Sequence, residues 1–266
     1  MRVLLAVNPN SRRGRRLGGA VRDELRGRGI EFVERAGGEP IDAIVVAGGD
    51  GTFSRLIPLA LELGVPMGLV PLGTFNDLAR TLAIPEDVAR AIDVIAGGAT
   101  RRIDVATVNG QYYVNEASIG LSSRLARLQR TADKQRFGFA AIVIGALNGL
   151  RFLRPFEVEF AYEGGQERLR TVQLTVANSN RFGKVITVEN AGIDDGRLDL
   201  YVVESGGLLP VRALRSFHSK AFAVATRRPR RITADGEPGG TTPALFRVIP
   251  GALRVYAPEK NLVEGG

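Results

Sequence analysis

Two glycine turns, each holding carboxylates, contain the residue types that could do chemistry. In Gly48-Gly49-Asp50-Gly51-Thr52, glycines surround a single acid. Glycine lets a backbone turn sharply and lets a phosphate reach N–H groups with no Cβ in the way. Asp50 would repel that phosphate unless a divalent cation sat between them, so the turn predicts an anion site with a metal. A tight turn with a solvated Asp is the plainer alternative. The second turn, Leu72-Gly73-Thr74-Phe75-Asn76-Asp77, offers the Thr74 hydroxyl and, at Asn76 or Asp77, a helix cap. The first turn is not a Walker A loop, since no Gly-Lys-Ser/Thr follows, nor is it the G-x-G-x-x-G dinucleotide fingerprint.

The elements that must position these turns follow from hydrophobic pattern. Ile44–Ala47 and Met67–Pro71 are short apolar runs, the mark of parallel strands buried on both faces. Phe53–Leu63 repeats Leu56, Leu59, Ala60 and Leu63 at helical spacing. Turns at the carboxyl ends of adjacent parallel strands face one crevice. Residues 2–7 read as a first strand leading into Asn8-Pro9-Asn10-Ser11, Arg15–Arg28 as a basic, solvated helix, Glu31–Arg35 as a second strand, and Pro85–Gly97 as an amphipathic helix. Asp104 interrupts the apolar strand after Arg101. A buried charge without a partner costs several kcal/mol, so Asp104 should lie at an edge or serve a metal.

From Asn109 the texture changes to period-two alternation, with strands expected over 111–115, 156–162, 169–178, 197–203, 246–248 and 253–256. This predicts an α/β nucleotide-binding domain over 1–108, with 251–266 a candidate to complete it, and an antiparallel β-sandwich over 109–250. Two helical stretches could address a membrane: 121–136, with Arg124, Arg127, Arg130 and Lys134 opposite a leucine face, and the apolar run 137–153. For the second, core packing is the preferred reading. Gly192-Ile193-Asp194-Asp195-Gly196-Arg197 is a carboxylate-bearing turn suited to a hard cation, or an ordinary Asp-Gly turn. Ala234-Asp235-Gly236-Glu237-Pro238 follows the basic run Arg227–Arg231. His218, beside Lys220, shows no triad partner.

Gly-Gly-Asp-Gly-Thr, then Pro71-Leu-Gly-Thr-Phe-Asn-Asp-Leu-Ala-Arg80, then Asn115 in Tyr-Tyr-Val-Asn-Glu-Ala-Ser-Ile-Gly, then Asp194-Asp-Gly-Arg-Leu-Asp-Leu200 and the late Asp235-Gly-Glu resemble the bacterial diacylglycerol and lipid kinase family, in its order and over nearly the whole chain. The first motif alone is shared with NAD kinases and phosphofructokinases; the combination is far more specific, and the Gly-Ser-Thr-Ala-Tyr of NAD kinases is absent. The resemblance implies an ATP- and Mg²⁺-dependent lipid kinase with a phosphofructokinase- and NAD-kinase-like parallel sheet and an active site between its domains. It implies ATP contacts at Asn8, Pro9, Asn10, Ser11, Gly48, Gly49, Asp50, Gly51, Thr52, Thr74 and Asn76, with Asp77 supporting the site. Asp50 and Asp104 would hold the catalytic Mg²⁺, directly or through water. Asp195 with the carbonyls of Gly192 and Arg197 would hold a structural Mg²⁺, and Glu237, with Asp235 beside it, would be the general base. Position 12 is Arg where the family usually has Gly, and residues 36–42 are too few for the helix that normally precedes the first glycine motif. An NAD kinase-like enzyme and a catalytically silent nucleotide- or lipid-binding protein are the alternatives.

Composition bounds the rest. The 266 residues are 44% hydrophobic, enough for a packed core, and zero cysteines exclude disulfides, thiol catalysis and Cys-based zinc sites. That fits a reducing cytoplasm. No segment reads as a signal peptide or membrane span. The net charge of +8 could suit nucleic acid, but 5 Tyr, 12 Phe and no Trp are not interleaved with the basic runs, so none is expected as a partner. The expected setting is the inner face of an anionic membrane, as a peripheral protein acting on a membrane lipid, with a homodimer left open.

Overall fold

Uninterrupted apolar runs build the parallel part of one mixed sheet and alternating runs build its antiparallel part, as the exposure of their faces requires. The computed structural model describes residues 1–9, 11–35, 37–120, 155–179, 181–182, 186–187, 192–206 and 209–259. The chain divides into two units: Met1–Val105 with Ser179–Asp195 and Ile249–Gly266, and Ala106–Asn178 with Gly196–Val248. The stretches expected as helices over 121–136 and 137–153 lie outside the described residues, as does Asn10.

In the first unit, β1 (Arg2–Val7), β3 (Ala43–Gly48) and β4 (Met67–Pro71) run parallel, with β2 (Glu31–Val33) on the outer edge. Every residue of β3 and β4 is buried, with α1 (Arg12–Gly27) and α2 (Asp50–Leu63) packed against β3 and α4 (Val88–Ala96) against β4. Val255, near the end of β17 (Ala244–Tyr256), pairs in parallel with Met67 of β4. The expected helix over 53–63 begins earlier: α2 spans Asp50–Leu63, with extended Gly49 (φ −107°) as its N-cap and the Asp50 carboxylate at the positive end of the helix dipole. Gly64, at φ 66°, ends it.

Helix α1 (Arg12–Gly27) buries Gly14, Gly18, Val21 and Leu25 on one face. Its C-cap arginine is not solvated as the charge pattern predicts. The Arg28 guanidinium donates to Glu24 (2.5 Å), to Asp93 (2.7 Å) and to the Ala89 carbonyl (3.2 Å), tying α1 to α4 (Val88–Ala96). The bonds to Glu24 and then Asp93 raise its pKa above the usual guanidinium value.

The second unit is an antiparallel sandwich. Its ladder runs β16 (Glu237–Thr241), β15 (Arg231–Ala234), β7 (Glu116–Gly120), β9 (Gly165–Ala177), β8 (Phe156–Tyr162) and β14 (Ala221–Thr226). Strand β12 (Leu198–Gly206) pairs with β9 and with β13 (Leu209–Ser219), while β5 (Thr100–Val108) meets β6 (Gln111–Tyr113). Phe160 packs edge-on against Phe217 at 4.9 Å in the core. The alternation over 246–248 and 253–256 predicts two strands, yet β17 is continuous. It passes Pro250-Gly251 because Gly251 takes φ 56° and still donates its N–H, at 2.7 Å, to Asp104. Among the described residues no helix is long and apolar enough to cross a membrane.

Candidate active site

Three turns at the carboxyl ends of β1, β3 and β4 meet in the first unit. Asn8, just past β1, donates through Nδ2 to Thr52 Oγ1 at 3.0 Å. Ser11 caps α1, its hydroxyl accepting from Gly14 N–H at 2.8 Å, and the Pro9 carbonyl accepts from Arg15 at 3.4 Å. Arg12 lies inside the helix. The close approach belongs to Gly14, where a Cβ would come within 2.1 Å of the Asn8 carbonyl oxygen.

The two glycine turns touch backbone to backbone. A Cβ at Gly73 would fall 2.6 Å from Gly49 Cα, and one at Gly49 would fall 3.0 Å from Gly73 Cα. Leu72 N–H donates to the Gly48 carbonyl at 2.8 Å, holding the turns in register. Asp50 spans them. Its carboxylate accepts from Asp77 N–H (3.2 Å) and Leu78 N–H (3.0 Å), the first amides of the short helix α3 (Asp77–Thr81). Neither Asn76 nor Asp77 caps that helix with its side chain, as either was expected to. Asn76, buried and left-handed at φ 54°, turns back to accept from Gly73 N–H at 2.8 Å. Asp77 forms an ion pair with Arg80. Thr74 is exposed at the tip of the turn. The N–H groups of Asp50 and Gly51 precede the first intrahelical bonds of α2 and are the donors an anion would meet.

Asp104 lies at no exposed edge. It is 2% exposed, and one carboxylate oxygen accepts from Gly251 N–H at 2.7 Å. Its own N–H donates to the Ile193 carbonyl at 2.7 Å, which fastens β5 to the loop beginning at Gly192. Within that loop Asp195 accepts from Gly192 N–H at 2.9 Å, and Asp194 pairs with Arg101. Arg197 lies 3.9 Å from the Glu163 carboxylate in the second unit. Among the described residues no group of three or more His, Cys, Asp or Glu side chains is placed to hold a metal.

Ala234 and Glu237 flank a two-residue hairpin turn in the second unit, made of Asp235 and Gly236. Asp235 (φ 45°) and Gly236 (φ 80°) are both left-handed, as such a turn demands of an Asp-Gly pair. The Asp235 carboxylate accepts three backbone amides, from Val114 (2.7 Å), Asn115 (3.1 Å) and Glu116 (3.1 Å). Asn178 closes the same junction, donating to the Val114 carbonyl through its side chain at 3.1 Å. Glu237 opens β16, half-buried. Tyr113 is fully buried here, and its hydroxyl has no hydrogen-bond partner among the described residues. Burial first, then the charges of Asp235 and Glu116, push that phenol well above its ordinary pKa.

One pairing escaped the sequence. His218 Nδ1 bonds to Asp199, its partner in the β12–β13 register, so the lone histidine has a carboxylate after all. Strand register across a ladder was the signal that could have revealed it.

Comparison with known proteins covers this whole arrangement. Residues 2–108 match the diacylglycerol kinase catalytic domain, and residues 115–214 match the YegS C-terminal NAD kinase beta sandwich-like domain. The chain is 31% identical to a diacylglycerol kinase of Bacillus subtilis (strain 168), over 83% of this chain and 79% of that one. It is 30% identical to one of Staphylococcus aureus (strain Newman), over 85% and 77%. A solved structure of a diacylglycerol kinase from Bacillus anthracis str. Sterne superposes with TM-score 0.76 at 25% identity, covering 97% of each chain. An NAD kinase from Archaeoglobus fulgidus in complex with ATP shares the fold, at TM-score 0.54 and 14% identity over 98% of this chain and 95% of that one. The expected pairing of a parallel nucleotide-type sheet with an antiparallel sandwich is borne out, and this chain belongs to the diacylglycerol kinase family of lipid kinases.

Proposed function

We propose that this chain transfers the γ-phosphoryl group of ATP to the hydroxyl of a diacylglycerol-type lipid. The observation that carries the reading is Asp50, which joins two glycine turns at the strand ends in a chain of this family. ATP is favoured because a solved relative in fold, the Archaeoglobus fulgidus NAD kinase, is in complex with it. Its phosphates would rest on Gly48–Thr52 and Thr74, at the amino end of α2, with Asn8, Ser11 and Asn76 holding the turns that shape the cradle.

The acidic residues fit Mg²⁺. Each Asp50 oxygen takes one amide, which leaves acceptor capacity on a hard oxygen donor, and Asp104 brings a second carboxylate, itself buried. Asp50 and Asp104 would hold the ion, directly or through water, and it would neutralise charge on the phosphates. Asp235 is committed to the amides of residues 114–116, so its part is to fix the turn that presents Glu237. Glu237 takes the proton from the lipid hydroxyl as the phosphoryl group moves.

The reaction belongs at a membrane surface. Withdrawing a sixteen-carbon acyl chain from a bilayer forfeits about 12 kcal/mol at about 0.8 kcal/mol per CH₂, so reaching the headgroup hydroxyl in place is favoured. The test is transfer of γ-labelled phosphate from ATP to vesicles of single acceptor lipids and, in parallel, to NAD. Label in diacylglycerol is expected. Label in NAD alone, or in no acceptor, overturns the reading.

A further inference from the structure

The second unit carries a cavity of about 480 Å³ that phosphoryl transfer does not use. Phe156 and Glu157 of β8, Arg170 of β9, and Arg227, Arg228 and Arg230 of the β14–β15 connection line it. Four guanidinium groups face one carboxylate, a formal excess of three positive charges (four minus one). That carboxylate is itself engaged, since Glu157 bonds to Arg168 at 3.1 Å. No carboxylate among the described residues pairs with Arg170, Arg227 or Arg228. Like charges gathered in this way repel and cost stability unless an anion joins them.

The pocket is also shaped. Phe156, 6% exposed, presents its ring to the Arg230 guanidinium, whose carbon lies 3.9 Å from the ring centre. Stacking there fixes the orientation of the guanidinium at the pocket wall. The connection that bears the arginines is pinned: Arg230 N–H donates to Thr242 Oγ1 at 2.9 Å, and Thr226 Oγ1 donates to the Arg228 carbonyl at 2.8 Å. A carboxylate offers two oxygens and suits one guanidinium fork. A phosphate group spreads its oxygens tetrahedrally and can be held by several forks at once. We propose that this arginine-lined pocket binds a phosphate group, carried by a lipid headgroup or by a free phosphate anion. The site shares no residue with those assigned to phosphoryl transfer, so it stands or falls independently of that reading.

The experiment compares two double variants of the full chain. Arg170→Gln with Arg228→Gln empties the pocket of two charges; Arg231→Gln with Arg247→Gln removes two exposed charges of the same unit outside it. Binding is measured to vesicles of phosphatidylcholine with and without phosphatidylglycerol, and to inorganic pyrophosphate by calorimetry. The pocket variant should bind one of these phosphate probes about tenfold more weakly or worse, and the control variant should bind as wild type. Loss toward phosphatidylglycerol vesicles alone identifies a headgroup, and loss toward pyrophosphate identifies a free anion. Equal binding by both variants, or equal weakening in both, overturns the site. Should the pocket double variant melt below wild type, Arg228→Gln alone carries the same comparison.

Discussion

At the residue scale, the Asp50 carboxylate ties one glycine turn to the helix that leaves the other. Its place in a glycine turn marks it for a cation, but its bonds to the amides of Asp77 and Leu78 are also structural. Asp50→Asn keeps one acceptor oxygen and turns an NH₂ toward a donor. We expect a stability loss of about 1–3 kcal/mol in urea unfolding, and phosphoryl transfer below about a tenth of wild type. Unchanged unfolding would show that the amide bonds contribute nothing. Tyr113 makes a separate prediction. Its pKa is raised in the fold, so below pH of about 10 both states keep the phenolic proton and stability is unaffected. Above that, the unfolded chain binds fewer protons than the folded one, and stability falls by up to about 1.4 kcal/mol per pH unit. Tyr113→Phe should flatten this alkaline slope, leaving the share of Tyr256, also raised by burial, and should cost little at neutral pH because the hydroxyl has no hydrogen-bond partner among the described residues. Identical slopes between pH 9 and 11, as measured by urea unfolding, would refute it. Composition made the glycine turn legible; the Asp50 bonds were not, because their partners are 27 and 28 residues away and are brought close only by the meeting of Gly49 with Gly73.

Elements repeat the lesson in backbone terms. Helix α1 contains Gly14 and Gly19, identical in sequence and opposite in surroundings. A Cβ at Gly14 would collide with the Asn8 carbonyl, whereas one at Gly19 would meet nothing within 4 Å. Gly19→Ala should therefore stabilise by about 0.5–1 kcal/mol, since glycine is costly inside a helix. Gly14→Ala should destabilise and displace the turn at Asn8. Thermal melting of the two variants decides it, and shifts of the same sign would sink the argument. The buried parallel strands were legible because β3 and β4 are apolar from end to end. Strand β7 was not, since Glu116-Ala-Ser-Ile-Gly120 has little intrinsic strand preference and is held by β9 and β15 on either side. Strands β15 and β16 hid likewise behind a basic run and a glycine-rich turn, although the Asp-Gly pair signalled the hairpin.

On the scale of the whole molecule, the first unit is not a continuous stretch of chain. Residues from 249 onward return to it: Val255 pairs with β4, Leu253 and Tyr256 are buried, and Gly251 N–H meets the buried Asp104 carboxylate. Three buried side chains of this size contribute roughly 5–8 kcal/mol, comparable with the stability of an entire domain. A chain ended after Val248 should therefore lose hydrogen-exchange protection in β3 and β4 while β8 and β9 keep theirs. Protection in β3 and β4 equal to wild type would refute it. The same arrangement sets a schedule for biosynthesis. A ribosome adds about 5–20 residues per second, so the first 105 residues wait roughly 7–30 s for the segment that seals their sheet. In that interval the edge of β4 is open to any extended strand nearby, and the nascent chain depends on whatever in the cell shields such an edge until Val255 and its neighbours have been made.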